Sequence, residues 1–310
     1  MKNYLICLIG PTAVGKTAVS LDLAVELQIF FGQKNCIVSA DSRQVYQEIP
    51  VGTAQLSFKD QRSVPHYFMG DLSIAETFNA GIFEQKAREI LSKHYQNHKL
   101  ALLVGGSGLY VDALCKGFSF FPDVSEFYRE EVIRFYQDKG LSALQQEVQR
   151  LDPSYAERVD MQNPQRLMRA LEICWSTGRT FSSFLDQPRQ HSLNLDFEII
   201  YIGLHLEKSD LVSNIQKRTK EMLAQGLIEE AEKMLPYKHH NALQTVGYPE
   251  TFAYLENLIN LETLEQQIAL KTAQYAKRQM TWFRKNKAIQ WFFPQQKKEI
   301  FEFILGRMKV

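Results

Sequence analysis

Short apolar runs alternate with helical periodicity along most of the chain. Four of these runs, each bounded by turn or capping residues, are typical of buried strands: residues 5–9, 36–40, 100–104 and 197–206, with a fifth candidate at 289–293. Between them apolar residues recur with the helical period, as at 18–27. Strands that alternate with helices predict an α/β fold built on a mostly parallel sheet.

Residues 121–195 interrupt this alternation, because they contain only helical patterns such as 126–139 and 163–177. The second pattern is well delimited, with Asn163 as N-cap, Pro164 at the first helical position and Gly178 just past the end. We therefore predict a helical domain at 121–195, inserted into a core formed by 1–120 and 196–310. Two later helices are predicted at 209–235, interrupted near Gly226, and at 261–286.

Composition is that of an ordinary soluble protein. With 310 residues, 45% of them apolar, the chain can bury a sizeable core and form two structural units. The apolar run at 4–9 is far too short to span a membrane, and we recognise no targeting segment. The cysteines lie far apart, without a C-x-x-C pair, at Cys7, Cys36, Cys115 and Cys174. We expect a cytoplasmic protein without a membrane segment.

Charge is distributed unevenly, although the net charge is only +1. Residues 266–298 contain no acid and eight basic residues: Lys271, Lys277, Arg278, Arg284, Lys285, Lys287, Lys297 and Lys298. The aromatic residues Tyr275, Trp282 and Phe283 lie among them, either as core residues or as stacking platforms for bases. This basic segment favours a polyanionic partner at the C-terminal end.

The strongest local motif follows the first predicted strand and precedes a predicted helix. It matches G-x-x-x-x-G-K-[ST] and consists of Gly10, Pro11, Thr12, Ala13, Val14, Gly15, Lys16 and Thr17. In this context its backbone N–H groups can wrap a diphosphate, Lys16 can neutralise phosphate charge and the Thr17 hydroxyl can ligate Mg²⁺. A glycine turn without a ligand is the alternative. The motif indicates a diphosphate but not the reaction.

Two further segments follow predicted strands and so lie at the same sheet edge. Asp41, after the second run, could be a Mg²⁺ ligand, a general base or simply a helix N-cap. The sequence Gly105-Gly106-Ser107-Gly108 follows the third run; it is either a plain strand-to-helix turn or a close backbone approach that offers the Ser107 hydroxyl.

In the inserted helix, Gln165 and Arg169 share one face, which could merely be solvated.

Taken together, these motifs resemble one family, the bacterial tRNA dimethylallyltransferases, whose core is similar to that of nucleotide monophosphate kinases and other P-loop NTPases. The resemblance covers nearly the whole chain in ordered blocks: residues 10–17, 41–46 with 51–54, 105–110, 163–166 with Arg169, 222–227, 246–248 and 276–284. A generic kinase has no reason to carry the last four blocks.

The resemblance implies transfer of the dimethylallyl group of dimethylallyl diphosphate to N6 of adenosine 37, beside the tRNA anticodon. It implies that Asp41 is the base, that Lys16, Thr17 and Mg²⁺ stabilise the leaving diphosphate, and that Arg129 and Ser107 touch the reacting region. It also assigns tRNA binding to two segments, Asp41, Ser42, Arg43 and Gln44, and Gln165, Arg166, Leu167, Met168 and Arg169. A monomer is the family expectation.

The chain departs from the family pattern at two positions, Pro249 after Gly247-Tyr248 and Ile82 where an acidic residue is often found. Three rival hypotheses remain: an ATP phosphotransferase, a prenyltransferase acting on free adenine nucleotides, and an RNA-binding module whose phosphate loop is vestigial. The helical insertion and the basic segment argue against a mononucleotide acceptor, which offers nothing for them to hold.

Overall fold

The computed structural model describes residues 2–57, 59, 64–117, 121–188, 191 and 196–309. The chain divides into two compact units, Met1–Cys115 with Ser192–Val310, and Lys116–His191. The first unit contains the phosphate-loop motif, and the second is the helical segment between two parts of it. The boundaries predicted from sequence, after 120 and after 195, lie within five residues of these.

The first unit is built on a six-stranded sheet with the order β3-β2-β4-β1-β5-β6. Its strands are β1 (Tyr4–Ile9), β2 (Ile37–Ser39), β3 (His66–Tyr67), β4 (Leu100–Gly105), β5 (Glu198–Leu204) and β6 (Gln290–Phe292). Every pairing between these strands is parallel, which confirms the predicted fold class. The strand β3 was not predicted, because two residues are too few to show a period.

The α-helices of the described residues lie in the connections between the strands, except the last, which follows β6. In chain order they are α1 (Lys16–Phe31), α2 (Pro50–Thr53), α3 (Ala80–Tyr95), α4 (Gly108–Lys116), α5 (Glu126–Leu151), α6 (Pro153–Ala156), α7 (Pro164–Thr177), α8 (Phe181–Leu185), α9 (Lys208–Ala224), α10 (Leu227–Met234), α11 (Tyr248–Leu255), α12 (Leu261–Phe283) and α13 (Lys297–Met308). Within this part of the chain, none of them is long and apolar enough to cross a membrane.

The predicted interruption near Gly226 separates α9 from α10. Gly226 has a φ of 97°, a conformation that glycine adopts without a side-chain clash. The predicted helix 261–286 ends at Phe283, so Arg284 and Lys285 lie just beyond α12. Both departures from the family pattern fit their helices: Pro249 lies in the first turn of α11, where a missing N–H is harmless, and Ile82 in the first turn of α3.

A hydrophobic core fixes the sheet of the first unit. All six residues of β1 are buried, as expected for a central parallel strand covered on both faces. Its Ile6 and Leu8 belong to one cluster with Leu27 of α1 and Ile304 of α13. This packing holds the carboxyl end of β1, from which the phosphate-loop motif departs.

The second unit has its own core, formed by α5, α7 and the short helices α6 and α8. Leu144 of α5 and Leu171 of α7 are fully buried in it. The predicted delimitation of α7 is confirmed: the Asn163 side chain accepts a hydrogen bond from the N–H of Arg166, and Gly178 ends the helix with a φ of 67°. α5 bends at Gly140, which has a φ of 74°.

Candidate active site

The carboxyl ends of β1, β4 and β2 meet at one edge of the sheet, as the sequence predicts. A Cβ added at Gly105 would lie 2.2 Å from the carbonyl oxygen of Ala40, and one added at Gly106 would lie 3.4 Å from that of Gly10. The three strand ends are therefore in direct backbone contact. Glycine is needed at position 105 because any side chain there would collide with the neighbouring backbone.

The phosphate-loop motif forms a tight turn between β1 and α1. Gly10 passes so close to β5 that a Cβ would lie 2.6 Å from the carbonyl oxygen of Leu204. Ala13 and Gly15 have positive φ angles of 63° and 99°, and Gly15 is the N-cap of α1 without a side-chain cap. The N–H groups in the first turn of α1 are thus available to an anion at the positive end of the helix dipole.

Lys16 bends back over this loop. Its Nζ donates hydrogen bonds to the carbonyl oxygens of Gly10 at 3.0 Å and Pro11 at 2.8 Å. Burial lowers the pKa of Lys16 to about 8. The Asp41 carboxylate raises this pKa, and the Arg218 guanidinium lowers it further. A diphosphate in the loop would favour the charged ammonium. Thr17, the next residue, is exposed in the first turn of α1.

Asp41 caps a backbone turn and interacts with two cations. Its Oδ1 accepts hydrogen bonds from the N–H groups of Arg43 at 2.9 Å and Gln44 at 3.3 Å, so the carboxylate caps a backbone turn rather than a helix. The same carboxylate interacts electrostatically with Lys16 and Arg218. It therefore faces the phosphate loop, as the sequence predicts for a residue at this sheet edge.

Arg218 was not predicted from the sequence. Burial lowers the pKa of this α9 residue and the Asp41 carboxylate opposes the change, so the guanidinium is an additional cation that interacts electrostatically with Asp41 and Lys16. One turn earlier, Asn214 donates from Nδ2 to the carbonyl oxygen of Ala13 at 3.1 Å. In the sequence, only the i, i+4 spacing of Asn214 and Arg218 indicates that they share a helix face. The same spacing occurs on the solvent-exposed face of any amphipathic helix.

The turn after Asp41 is tied to its surroundings by side chains. The Ser107 hydroxyl accepts a hydrogen bond from the N–H of Ser42 at 3.0 Å, which joins the two predicted segments. Gln44 donates to the carbonyl oxygens of Thr53 and Ala54, so its amide is committed to internal contacts. Arg43 reaches Asn241 at 3.5 Å.

The remaining predicted residues lie in the second unit. Arg129 of α5 and Arg169 of α7 both pair with Glu172, at 3.8 Å and 2.8 Å. Gln165 and Arg166 are exposed, whereas the side chains of Leu167 and Met168 belong to the core of this unit. Only the polar members of the segment 165–169 therefore present side chains to solvent.

The basic segment remains exposed at its charged positions, among them Lys271, Lys277, Arg278, Arg284 and Lys285. Its aromatic side chains are committed to the protein. Phe283 is buried, and Trp282 donates from Nε1 to Asp112 at 2.9 Å. The segment can therefore contact a phosphate backbone through its charges, but these two rings are not free platforms for bases.

The metal prediction rests on Thr17 alone. Among the residues that the structure describes, no three His, Cys, Asp or Glu side chains form a metal-binding group. Mg²⁺ bound together with a diphosphate needs only one or two protein ligands, since phosphate oxygens and water complete its shell. The exposed Thr17 hydroxyl beside Lys16 fits that kind of site.

Comparison with known proteins relates this chain to one protein family. A family model described as IPP transferase matches residues 44–286. The chain is 41% identical over 300 residues to tRNA dimethylallyltransferase 1 of Bacteroides thetaiotaomicron, covering 97% of this chain and 94% of the relative. It is 42% identical over 309 residues to the tRNA dimethylallyltransferase of Christiangramia forsetii, covering 99% of each.

Solved structures agree with these relatives. The tRNA isopentenylpyrophosphate transferase of Bacillus halodurans has a TM-score of 0.71 and 32% identity, covering 99% of this chain and 97% of that one. The similarity therefore includes the phosphate loop and Asp41, which precede the start of the family match at residue 44.

Proposed function

Because the chain belongs to the IPP transferase family, we propose that it transfers the dimethylallyl group of dimethylallyl diphosphate to N6 of adenosine 37 in tRNA. Relatives about 40% identical over nearly the full length are named tRNA dimethylallyltransferases, which supports this reaction. We further propose that the enzyme acts as a monomer in the cytoplasm, where tRNA is available.

One observation carries the proposal: a phosphate loop, two cations and a carboxylate share one sheet edge. Lys16 and Arg218 interact with Asp41, and Lys16 lies over the loop. The cations suit a departing diphosphate, because they stabilise the negative charge that grows on its bridging oxygen. The carboxylate suits an amine acceptor, which must lose a proton.

In the proposed reaction, a C–N bond forms between the allylic carbon and N6 while the C–O bond to the diphosphate breaks. Diphosphate leaves with the electron pair of that bond, and Asp41 takes the proton from N6. The exocyclic amine of adenine is a weak nucleophile since its lone pair is delocalised into the ring. Alignment and proton removal are therefore the contributions expected from the protein.

Mg²⁺ is the proposed cofactor, with Thr17 as its protein ligand. When bound, it would neutralise diphosphate charge and so improve the leaving group. The protein's own residues hold the rest of the diphosphate: Lys16 and Arg218 by charge, and the loop by its backbone N–H groups.

We propose that tRNA contacts the exposed charges of both units. Arg43 near Asp41, the basic residues of α12, the exposed Gln165 and Arg166 and the partly exposed Arg169 supply donors suited to phosphate oxygens. We include Arg129 among these tRNA-contacting residues because it pairs with Glu172, as Arg169 does. Adenosine 37 must leave its stack to reach Asp41, at a cost of about a few kcal/mol that such contacts can offset.

The direct test uses labelled dimethylallyl diphosphate with three acceptors: tRNA lacking the modification, the same tRNA with guanosine at position 37, and AMP. We expect label in the first tRNA alone. Label in AMP but not in tRNA would contradict the tRNA assignment, and ATP consumption without any transfer would support a phosphotransferase instead.

A further inference from the structure

The side chain of Gln279 joins two loops of the active site. From α12, its Oε1 accepts a hydrogen bond from the N–H of Thr12 at 2.8 Å, and its Nε2 donates to the carbonyl oxygen of Gly106 at 2.9 Å. Thr12 belongs to the phosphate loop, and Gly106 begins the turn that carries Ser107. The side chain is buried, with 5% of its surface exposed.

Only a residue that donates and accepts at the same time can make this bridge. The backbone partners fix the amide orientation, because the Thr12 N–H requires an acceptor and the Gly106 carbonyl requires a donor. Gly106 leaves the necessary space: a Cβ there would lie 2.2 Å from Nε2 of Gln279. The glutamine and the glycine therefore fit each other as a pair.

Two neighbours on the same face of α12 strengthen the contact. Four residues before Gln279, Tyr275 lies within reach of both Ser107 and Gln279, and three residues after it Trp282 donates from Nε1 to Asp112. Trp282 also packs so closely on Gly108 that a Cβ there would lie 2.4 Å from its ring. The helix is thus attached at three successive positions to the phosphate loop or to the segment that follows β4.

The Gln279 bridge affects how the two proposed substrates are placed relative to each other. Ser107 holds the N–H of Ser42 next to Asp41, whereas Thr12 lies in the loop that receives the diphosphate. We propose that Gln279 is a positioning residue that fixes the phosphate loop relative to the turn carrying Ser107, and so aligns the diphosphate with the acceptor amine. The alignment of an amine rests on the proposed function; the effect on diphosphate binding does not.

Gln279→Met tests the bridge because methionine has a similar volume but neither donates nor accepts as an amide does. It leaves a part-buried N–H and a buried carbonyl without their partner, so we expect affinity for inorganic pyrophosphate with Mg²⁺ to fall about tenfold or more. The matched control is Gln274→Met at an exposed position of the same helix, which should change affinity less than about twofold.

Gln279→Glu supplies a readout that a purely structural role would not move. A protonated glutamic acid reproduces both hydrogen bonds, whereas the ionised form cannot donate to Gly106. Its pyrophosphate affinity relative to the native protein should therefore recover as the pH is lowered from about 8 to about 5.5, while the ratio for Gln279→Met stays constant.

Calorimetric titration of the folded variants decides between the outcomes. A Gln279→Met protein that binds pyrophosphate as the native protein does, or a Gln274→Met protein that is equally impaired, would overturn the positioning role. If Gln279→Met does not fold, a Gln279→Glu ratio that is constant with pH overturns it instead. Failure of the native protein to modify tRNA would overturn the proposed function and leave the pyrophosphate result intact.

Discussion

Tyr248 donates a hydrogen bond from its buried hydroxyl to the carboxylate of Glu230, directly beneath Gly52. The same carboxylate accepts the N–H groups of Val51 and Gly52 at 2.8 Å each. This network holds α2, and the carbonyl oxygen of Thr53 at its end accepts hydrogen bonds from Gln44 and Arg218. Gly52, Glu230 and Tyr248, which are far apart in the sequence, thus support two residues of the active site. These are Gln44 and Arg218.

Gly52→Ala should destabilise the protein. The added methyl group would lie 2.3 Å from the Tyr248 hydroxyl, in a fully buried place where neither side can yield easily. We expect a loss of about 1–3 kcal/mol in the free energy of unfolding, measured by urea denaturation. Gly306→Ala, in α13 with nothing within 4 Å, is the control and should be neutral or stabilising by up to about 1 kcal/mol.

Tyr248→Phe tests the same network without adding volume. It removes a donor to a buried carboxylate, so the free energy of unfolding should fall by about 1.5–3 kcal/mol. The burial and the Glu230 charge that raise the pKa of Tyr248 keep its hydroxyl protonated at neutral pH. Unchanged urea denaturation would mean that this hydrogen bond contributes nothing.

Diphosphate binding should depend on pH through Lys16. Burial lowers its pKa from the ordinary 10.5 to about 8, so the free protein loses this charge as pH rises through that value. Diphosphate favours the charged form, and binding above pH 8 must therefore take up a proton. Affinity for pyrophosphate should fall by up to about tenfold per pH unit between pH 8 and 10.

Lys16→Met provides the comparison for this pH dependence. It should bind pyrophosphate weakly at pH 7 and lack the lysine contribution to the slope, since no ammonium remains to titrate. Identical slopes in the native protein and the variant, measured by calorimetry, would show that Lys16 is not the titrating group.

Removing exposed charge from α12 should weaken tRNA binding in a salt-dependent way. Lys271 and Arg278 lie seven residues apart along the exposed side of the helix. Each change to alanine should reduce the magnitude of the slope of log affinity against log salt concentration by about 1 if the residue contacts a phosphate. Lys34→Ala, just before the amino end of β2 and away from the site edge, should leave the slope unchanged.

Local motifs predicted the fold and the loops that meet at one sheet edge, because their signals lie within a few consecutive residues. The glycine loop, the capped helix α7 and the break at Gly226 are of this kind. The periodicity of α7 could also have shown that Leu167 and Met168 belong to a core face, apart from the polar residues beside them.

Residues whose roles depend on long-range packing could not be predicted in this way. Arg218 is one of several basic residues on α9, and only the folded chain brings it to Asp41. Gln279 lies 267 positions from Thr12, its hydrogen-bond partner. Glu230 and Gly52 are 178 positions apart, and nothing local to either marks the contact.

In the proposed reaction, Asp41 removes the proton from the acceptor amine beside the diphosphate. Asp41→Asn isolates this role, since the amide oxygen can still accept the N–H groups of Arg43 and Gln44 and so keep the turn. Asp41→Ala removes the cap as well and should lower stability in addition.

The most direct measurement is therefore a single-turnover transfer of label from dimethylallyl diphosphate to bound tRNA by the native protein and by Asp41→Asn, with tRNA affinity measured in parallel. We predict a rate reduced about 10²–10⁴-fold with tRNA affinity nearly unchanged. A variant that transfers the group at the native rate would contradict the account.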